Sequence, residues 1–438
     1  MLKAGIWQEL YIAKELCNTI LGAIQMTIKQ AMKFIYGTTW KGSILGLSRI
    51  TELMRLLGEP HKKLKFVHVA GTNGKGSTSA MLASILAQAG YKTGLYTSPY
   101  LYNFNELIQI NNTPITDGEI IQLVTEMQRH KMHDMPTEYE IITALAFLHF
   151  WRGQCDIVVL EVGMGGRLDS TNIIETPEAA IITAIGLDHM GQLGDTIEKI
   201  AGEKAGIIKP NGNVVCHEQP QAVEAIIRRK CEETGSKVVF AGRGGISLLQ
   251  VGLDGQMFSY DGKSLVTPLL GEHQLKNTAV VLEAVEVLRN RGWQITDDHI
   301  KDGLRNTTWR GRFEVIRRES VFIIDVAHNP QGVRATLGGL QQLFPDRKVI
   351  FIFGVLADKD YAQMAELLLP YGKKFILVTP ENPRALPAAK LREFFPQGEV
   401  CETVSQGVAL ALEYAGDNDI ICSLGSLSLI GTIRKILV

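Results

Sequence analysis

The sequence predicts an α/β protein in two lobes: a larger one on a mostly parallel sheet with a small antiparallel appendage, then a smaller α/β one. Three observations carry this. Short β-branched runs alternate with helical patterns along most of the chain, the rhythm that parallel strands need for their helical crossovers. Residues 246–270 break it with short alternating segments punctuated by Asp254-Gly255 and Asp261-Gly262, dipeptides suited to hairpin turns. After polar Asn306-Thr307-Thr308 a second strand and helix series begins, which puts residues 1–307 in one domain and 308–438 in the other.

In order, strands are expected at 64–70, 93–97, 156–161, 180–185, 213–216 and 237–240, each short and apolar. A glycine-rich turn and a helix at about 77–89 follow the first. Helical patterns at 272–291 and 296–305 close the first lobe, and strands at 313–318, 321–326, 348–355, 373–379 and 419–423 form a Rossmann-like unit. Two lobes imply a cleft.

Composition narrows the chemistry. With 45 Lys+Arg against 46 Asp+Glu the net charge is −1, so no global field holds nucleic acid and any nucleotide chemistry must be local. Six cysteines (Cys17, Cys155, Cys216, Cys231, Cys401, Cys422) are scattered without a C-x-x-C pair and read as reduced thiols of a cytoplasmic protein. Lys3, Glu9, Lys14 and Glu15 interrupt the apolar N-terminal stretch, and no later uncharged apolar run reaches the ~18 residues of a membrane span. Neither secretion nor a membrane association is expected, and a monomer is the expectation.

Gly71-Thr72-Asn73-Gly74-Lys75-Gly76-Ser77 joins the first strand to its helix. Backbone N–H groups and the positive helix end can enclose phosphate oxygens there, with Lys75 neutralising their charge. The strict G-x-x-x-x-G-K-[ST] pattern is not met, because Gly76 stands between Lys75 and the Ser77 hydroxyl. A plain strand-to-helix turn is the bland alternative. Taken alone, His189 reads as a hydrogen-bonded loop residue, Glu161 equally as a paired strand-end carboxylate, and Lys204 as surface charge on a helix.

The run His68-Val69-Ala70-Gly71-Thr72-Asn73-Gly74-Lys75-Gly76-Ser77-Thr78 resembles the nucleotide loop of folylpolyglutamate synthases within the Mur ligase superfamily, whose variant carries the extra glycine. The resemblance continues through Thr97-Ser98-Pro99, Glu161-Val162-Gly163-Met164-Gly165-Gly166-Arg167-Leu168-Asp169, Leu187-Asp188-His189, Glu203-Lys204-Ala205-Gly206 and Asp325-Val326-Ala327-His328-Asn329-Pro330, nearly the whole chain. It implies an ATP-dependent carboxylate–amine ligase that adds L-glutamate to a folate through an acyl phosphate, and in many bacterial relatives also acts on dihydropteroate. A cell-wall-precursor ligase and a nucleotide-gated switch are the alternatives.

The resemblance also implies the site. The loop from Gly71 to Thr78 would hold ATP, Asn277 the adenine edge, Arg312 the phosphates, and Asp325 and His328 the ribose side. Two Mg²⁺ ions would be held by Ser77, Glu161, His189 and a carbamylated Lys204, hard oxygen donors plus one imidazole. Carbamylation requires a neutral amine, hence a pocket that depresses the Lys204 pKa. Lys75, Glu161, His189 and Lys204 are the implied catalytic set. Ser98, Pro99, Tyr100 and Tyr139 would approach the pteridine, although relatives commonly have histidine at the Tyr100 position and an aromatic ring where this chain has Glu138.

Overall fold

The structure is a computed structural model that describes residues 26–42, 44–242 and 245–438. Cys17, Lys3, Glu9, Lys14 and Glu15 lie outside the described residues.

The first lobe is built on β1 Phe66–Ala70, β2 Thr93–Tyr96, β3 Ile108–Ile110, β4 Thr113–Pro114, β5 Ile157–Glu161, β6 Ala179–Ile182, β7 Asn213–His217 and β8 Lys237–Ala241. Their order across the sheet is β4-β3-β2-β5-β1-β6-β7-β8, parallel except where β3 and β4 add an antiparallel edge. β1 lies between β5 and β6, with Val69 opposite Glu161 and Ala70 opposite Ile182. Every residue of these three strands is buried, as expected of parallel strands covered on both faces. From β1 the chain runs to one side through β2, and from β5 it crosses to the other through β6. The crevice beyond β5, β1 and β6 is therefore a switch point, where open α/β sheets bind ligands.

The helix Lys75–Gln88 starts two residues earlier than expected, because Gly74, at φ 88°, turns the chain directly into it. The strand expected over 180–185 stops at Ile182; the Ala184 carbonyl instead accepts the N–H groups of Thr72 and Asn73 at 2.9 and 3.2 Å. Helices Asp117–Met127 and Glu138–Arg152 fill a stretch the periodicity left unread. The second is apolar nearly all round, so it shows no polar face to give a helical period.

β9 Ile246–Gly252, β10 Gly255–Tyr260 and β11 Lys263–Thr267 form the expected antiparallel appendage. Its second turn has positive φ at both Asp261 (47°) and Gly262 (77°), matching the twist of the flanking strands. The second lobe holds β12 Glu314–Arg317, β13 Phe322–Ile324, β14 Val349–Phe353, β15 Gly372–Leu377, β16 Glu399–Val400 and β17 Ile420–Leu424, ordered β12-β13-β17-β14-β15-β16. Only β12 is antiparallel.

Among the described residues no helix is long and apolar enough to cross a membrane, and Cys155, Cys216, Cys231, Cys401 and Cys422 are free thiols. Helix Lys75–Gln88 packs on the sheet and against helices Glu272–Asn290 and Asp297–Arg305. The closest approach is at Gly303, where a Cβ would lie 2.5 Å from the Ile85 Cα, while the Ser84 hydroxyl donates to the Gly303 carbonyl at 2.7 Å. Gly303→Ala is therefore expected to lower the unfolding free energy by about 1–3 kcal/mol in denaturant titration. The exposed helical Gly202 has nothing within 4 Å of its added Cβ, and Gly202→Ala should stabilise by about 0.5–1 kcal/mol.

Candidate active site

The loop after β1 has almost no room. A Cβ on Gly71 would lie 1.8 Å from the Thr183 Oγ1, one on Gly74 2.4 Å from the Asn277 Oδ1, and one on Gly76 2.6 Å from the Trp309 ring. The extra glycine of the phosphate-loop pattern thus seats the indole of the segment between the lobes. Thr72 and Asn73 do not aim their N–H groups into the loop, since both are taken by Ala184; the Thr72 hydroxyl bonds Gly186 as well. The first intrahelical bond runs from the Thr78 N–H to the Gly74 carbonyl at 2.9 Å. This leaves the N–H groups of Lys75, Gly76 and Ser77 at the positive helix end, suited to phosphate oxygens. Thr78 is fully buried and its hydroxyl has no hydrogen-bond partner among the described residues.

Glu161, at the end of β5, is buried and accepts from the Ser98 N–H at 3.2 Å, with the Lys75 ammonium 3.9 Å away. Burial pushes its carboxyl above the usual range, against the opposing pull of Lys75 and Arg312. Arg312, between Glu161 and Asp325, is itself held below its ordinary value by burial, with both carboxylates opposing. Asp325 accepts from the Ala327 N–H and the Thr336 hydroxyl, each at 3.0 Å. Ser77 accepts from the Gln274 amide at 3.2 Å, and Gln274 also accepts from Asn277.

Lys204 is not surface charge. It is buried, donates to the Gly71 carbonyl at 2.8 Å, and is pushed down to about 7 by burial and then by Lys75, with Asp188 and Asp169 opposing. Its helix is seated by glycines: a Cβ on Gly206 would lie 2.3 Å from the Arg167 Cβ, and one on Gly166 2.8 Å from the Glu203 carbonyl. Asp169 closes the glycine-rich turn by accepting from the Met164 and Thr171 N–H groups.

His189 sits exposed at φ 51°, and no hydrogen bond links its ring to Glu161 or Ser77 among the described residues. Its imidazole is held below the ordinary value by the surrounding protein, with Asp188 opposing. Asp188 is the better connected neighbour. It contacts Lys359 at 2.8 Å and His328 at 3.5 Å, and although burial opposes, these groups and His189 keep its carboxyl well below the usual range. The sequence reading assigned no role to Asp188, Lys359, Gln274, Gln331 or Trp309. Asp188 lay inside a recognised motif, whereas Lys359 had no local signal.

On the substrate side, Ser98-Pro99 is a cis peptide. The Tyr100 hydroxyl lies 3.1 Å from that of Tyr36. Tyr139 is wedged between Tyr96, at 6.2 Å between ring centroids, and Gly163. Glu138 accepts from the Thr39 hydroxyl.

Residues 69–285 match the Mur ligase middle domain and residues 311–427 the Mur ligase glutamate ligase domain. A Bacillus subtilis dihydrofolate synthase/folylpolyglutamate synthase is 36% identical over 93% of this chain and 98% of its own. The chain belongs to this family of Mur ligases. Among solved structures, Escherichia coli FolC in complex with DHPP and ADP superposes with a TM-score of 0.85 at 29% identity, over 94% of this chain and 97% of that one. A Mycobacterium tuberculosis folylpolyglutamate synthase complexed with ADP and AMPPCP gives 0.82 at 30%, over 90% and 95%.

Two outcomes follow for this family member. Gly76→Ala should displace Trp309 and weaken AMPPCP binding roughly ten- to a hundredfold, about 1–3 kcal/mol, in calorimetric titration. As a free amine, folded Lys204 is pushed down to about 7 by burial, against an ordinary 10.5. Between those values the unfolded chain binds more protons, so stability should rise with pH across that window. Thermal midpoints measured over this range should show the rise in the parent protein and lose it in Lys204→Met.

Proposed function

We propose that the protein is an ATP-dependent ligase that joins the amine of L-glutamate to the side-chain carboxylate of a folate's terminal glutamate, extending a polyglutamate tail. The family membership supports it, and one observation carries it beyond that: a buried strand-end carboxylate, Glu161, stands beside the phosphate-loop lysine at the switch point, facing an arginine of the second lobe. The bifunctional name of the Bacillus subtilis relative supports dihydropteroate as a second acceptor. We also read residue 307 as the domain boundary and the cytosol as the setting, in keeping with the free thiols.

A free carboxylate is a poor electrophile because its leaving group would be an oxide. The acceptor carboxylate attacks the γ-phosphorus of ATP, ADP departs, and the resulting acyl phosphate is attacked at carbon by the glutamate amine through a tetrahedral intermediate that expels phosphate. The helix-end N–H groups and Lys75 hold the phosphates; Arg312 adds positive charge from the second lobe. Asn277, beside Gly74 and bonded to Gln274, would meet the adenine edge. Asp325 and His328 would meet the ribose side. Ser98, Pro99, Tyr100 and Tyr139 line the acceptor's approach. Contact between the lobes keeps water from the acyl phosphate.

Two Mg²⁺ ions fit the donors present. Glu161 has acceptor capacity left beyond Ser98, the Ser77 oxygen keeps a lone pair beyond the one that accepts from Gln274, burial lowers the His189 imidazole, and Lys204 has the lowered basicity that carbamylation needs. Among the described residues no three His, Cys, Asp or Glu side chains form a ready cage; Mg²⁺ ordinarily completes its shell with phosphate oxygens and water. Bound there, Mg²⁺ would screen the phosphate from the carboxylate.

Incubating the protein with tetrahydrofolate or dihydropteroate, ATP, Mg²⁺ and glutamate should give, by mass spectrometry, products one glutamyl unit longer, with one phosphate released per amide. ATP hydrolysis indifferent to both substrates would overturn the reading. Glu161→Gln should lower kcat by roughly 10²–10³-fold. Lys204→Ala should abolish ligation, and excess bicarbonate should not restore it.

A further inference from the structure

The lobes meet along the carboxyl ends of their parallel strands through two polar contacts, built in part from Asp188, Lys359, Asn329 and Gln331, to which the proposed chemistry gives no role. In the first, Asp188 Oδ1 accepts from Lys359 at 2.8 Å, each side chain only 11% exposed, and Oδ2 lies 3.5 Å from both His328 Nε2 and the Asn329 amide. In the second, the Asn73 amide donates to Gln331 at 2.8 Å and exchanges contacts with Asn329 at 3.3 and 3.2 Å. Gly186 leaves the room for this, since a Cβ there would lie 2.3 Å from the Gln331 Oε1.

Both contacts come from segments already joined. Ala184 and Gly186 hold Thr72 and Asn73, and the Asp188 Oδ1 that binds Lys359 also accepts the His189 N–H at 2.9 Å. A pull on Asp188 from the second lobe is therefore felt at His189 and at the phosphate loop. An ion pair this buried is also intolerant of losing one member, because the remaining charge stays out of water without compensation.

We propose that Asp188 and Lys359 are positioning residues for ligation: their interlobe ion pair, with Asn73 and Gln331 alongside, locks the phosphate loop and the His189 segment into register only when the lobes are together. The proposal rests on the ligase reading above. The phosphate-loop and adenine contacts proposed above lie on the first lobe, so loss of the lock strikes the coupled step, where water must be kept from the acyl phosphate, more than ATP affinity.

The test is a kinetic double-mutant cycle on the full chain, following amide by mass spectrometry and phosphate release together. Lys359→Met should lower kcat roughly ten- to a hundredfold with the KM for ATP within about twofold of the parent, and should release more than one phosphate per amide. Asp188→Asn should do the same, the double variant should be no worse than the poorer single one, and Lys359→Arg should recover most of the coupling. Parent-like kcat and coupling in Lys359→Met, or losses that multiply in the double variant, would overturn the proposal. Where Lys359→Met fails to fold, Gln331→Met leaves the ion pair intact and is read identically: raised phosphate per amide supports the lock, unchanged coupling sinks it. A parent protein that forms no amide would overturn the ligase reading and this one with it, whereas an unaffected Lys359→Met overturns this one alone.

Discussion

The absence of a Cβ at Gly71, Gly74 and Gly76 is the constraint on which the site depends. Each missing atom is replaced by a different part of the molecule: the exit of β6 at Thr183, the long helix at Asn277, and the segment between the lobes at Trp309. A loop that carried side chains there would stand away from all three. Because it does not, the helix-end N–H groups, Lys75 and the amide cluster of Gln274 and Asn277 converge on one small volume, and phosphate bound in it is in reach of elements far apart in the chain.

The same volume concentrates charge that burial opposes. Glu161 is driven up and meets Lys75 only at 3.9 Å, while Lys204 and Arg312 are driven down with no ion pair within 4 Å among the described residues. Buried charges are ordinarily paired, since desolvation costs several kcal/mol per ion. Groups left underpaired at the end of a parallel sheet are poised for something that arrives from solution, and phosphates with divalent cations supply both missing signs. Asp188 is the contrast: it is fully paired, and paired across the lobes.

Much of the fold was readable locally. Strands β1, β5, β7, β8, β14 and β17 are short apolar runs bounded by turns, and each lies within a residue or two of its expected place. The appendage announced itself through Asp261-Gly262, a turn that only residues tolerant of positive φ make easily. What escaped were elements without a polar face, above all Glu138–Arg152, and the two-residue strands β4 and β16, which are too short to carry a period. In the site, the phosphate loop was legible because its glycines, lysine and hydroxyl are contiguous. Lys204 looked like a solvated helical lysine, and family resemblance rather than its own surroundings pointed to it.

By itself, then, the sequence determined the two-lobed α/β class, the phosphate loop and the family, since each rests on residues close together in the chain whose spacing encodes strand, turn and helix. Only the tertiary structure decided that Lys204 is buried and its basicity lowered, that Gly76 lies against Trp309, and that Asp188 reaches Lys359, 171 residues further on. The reason is physical: solvation and pairing of a charge are sums over everything packed around it, and most of what surrounds these residues comes from distant segments.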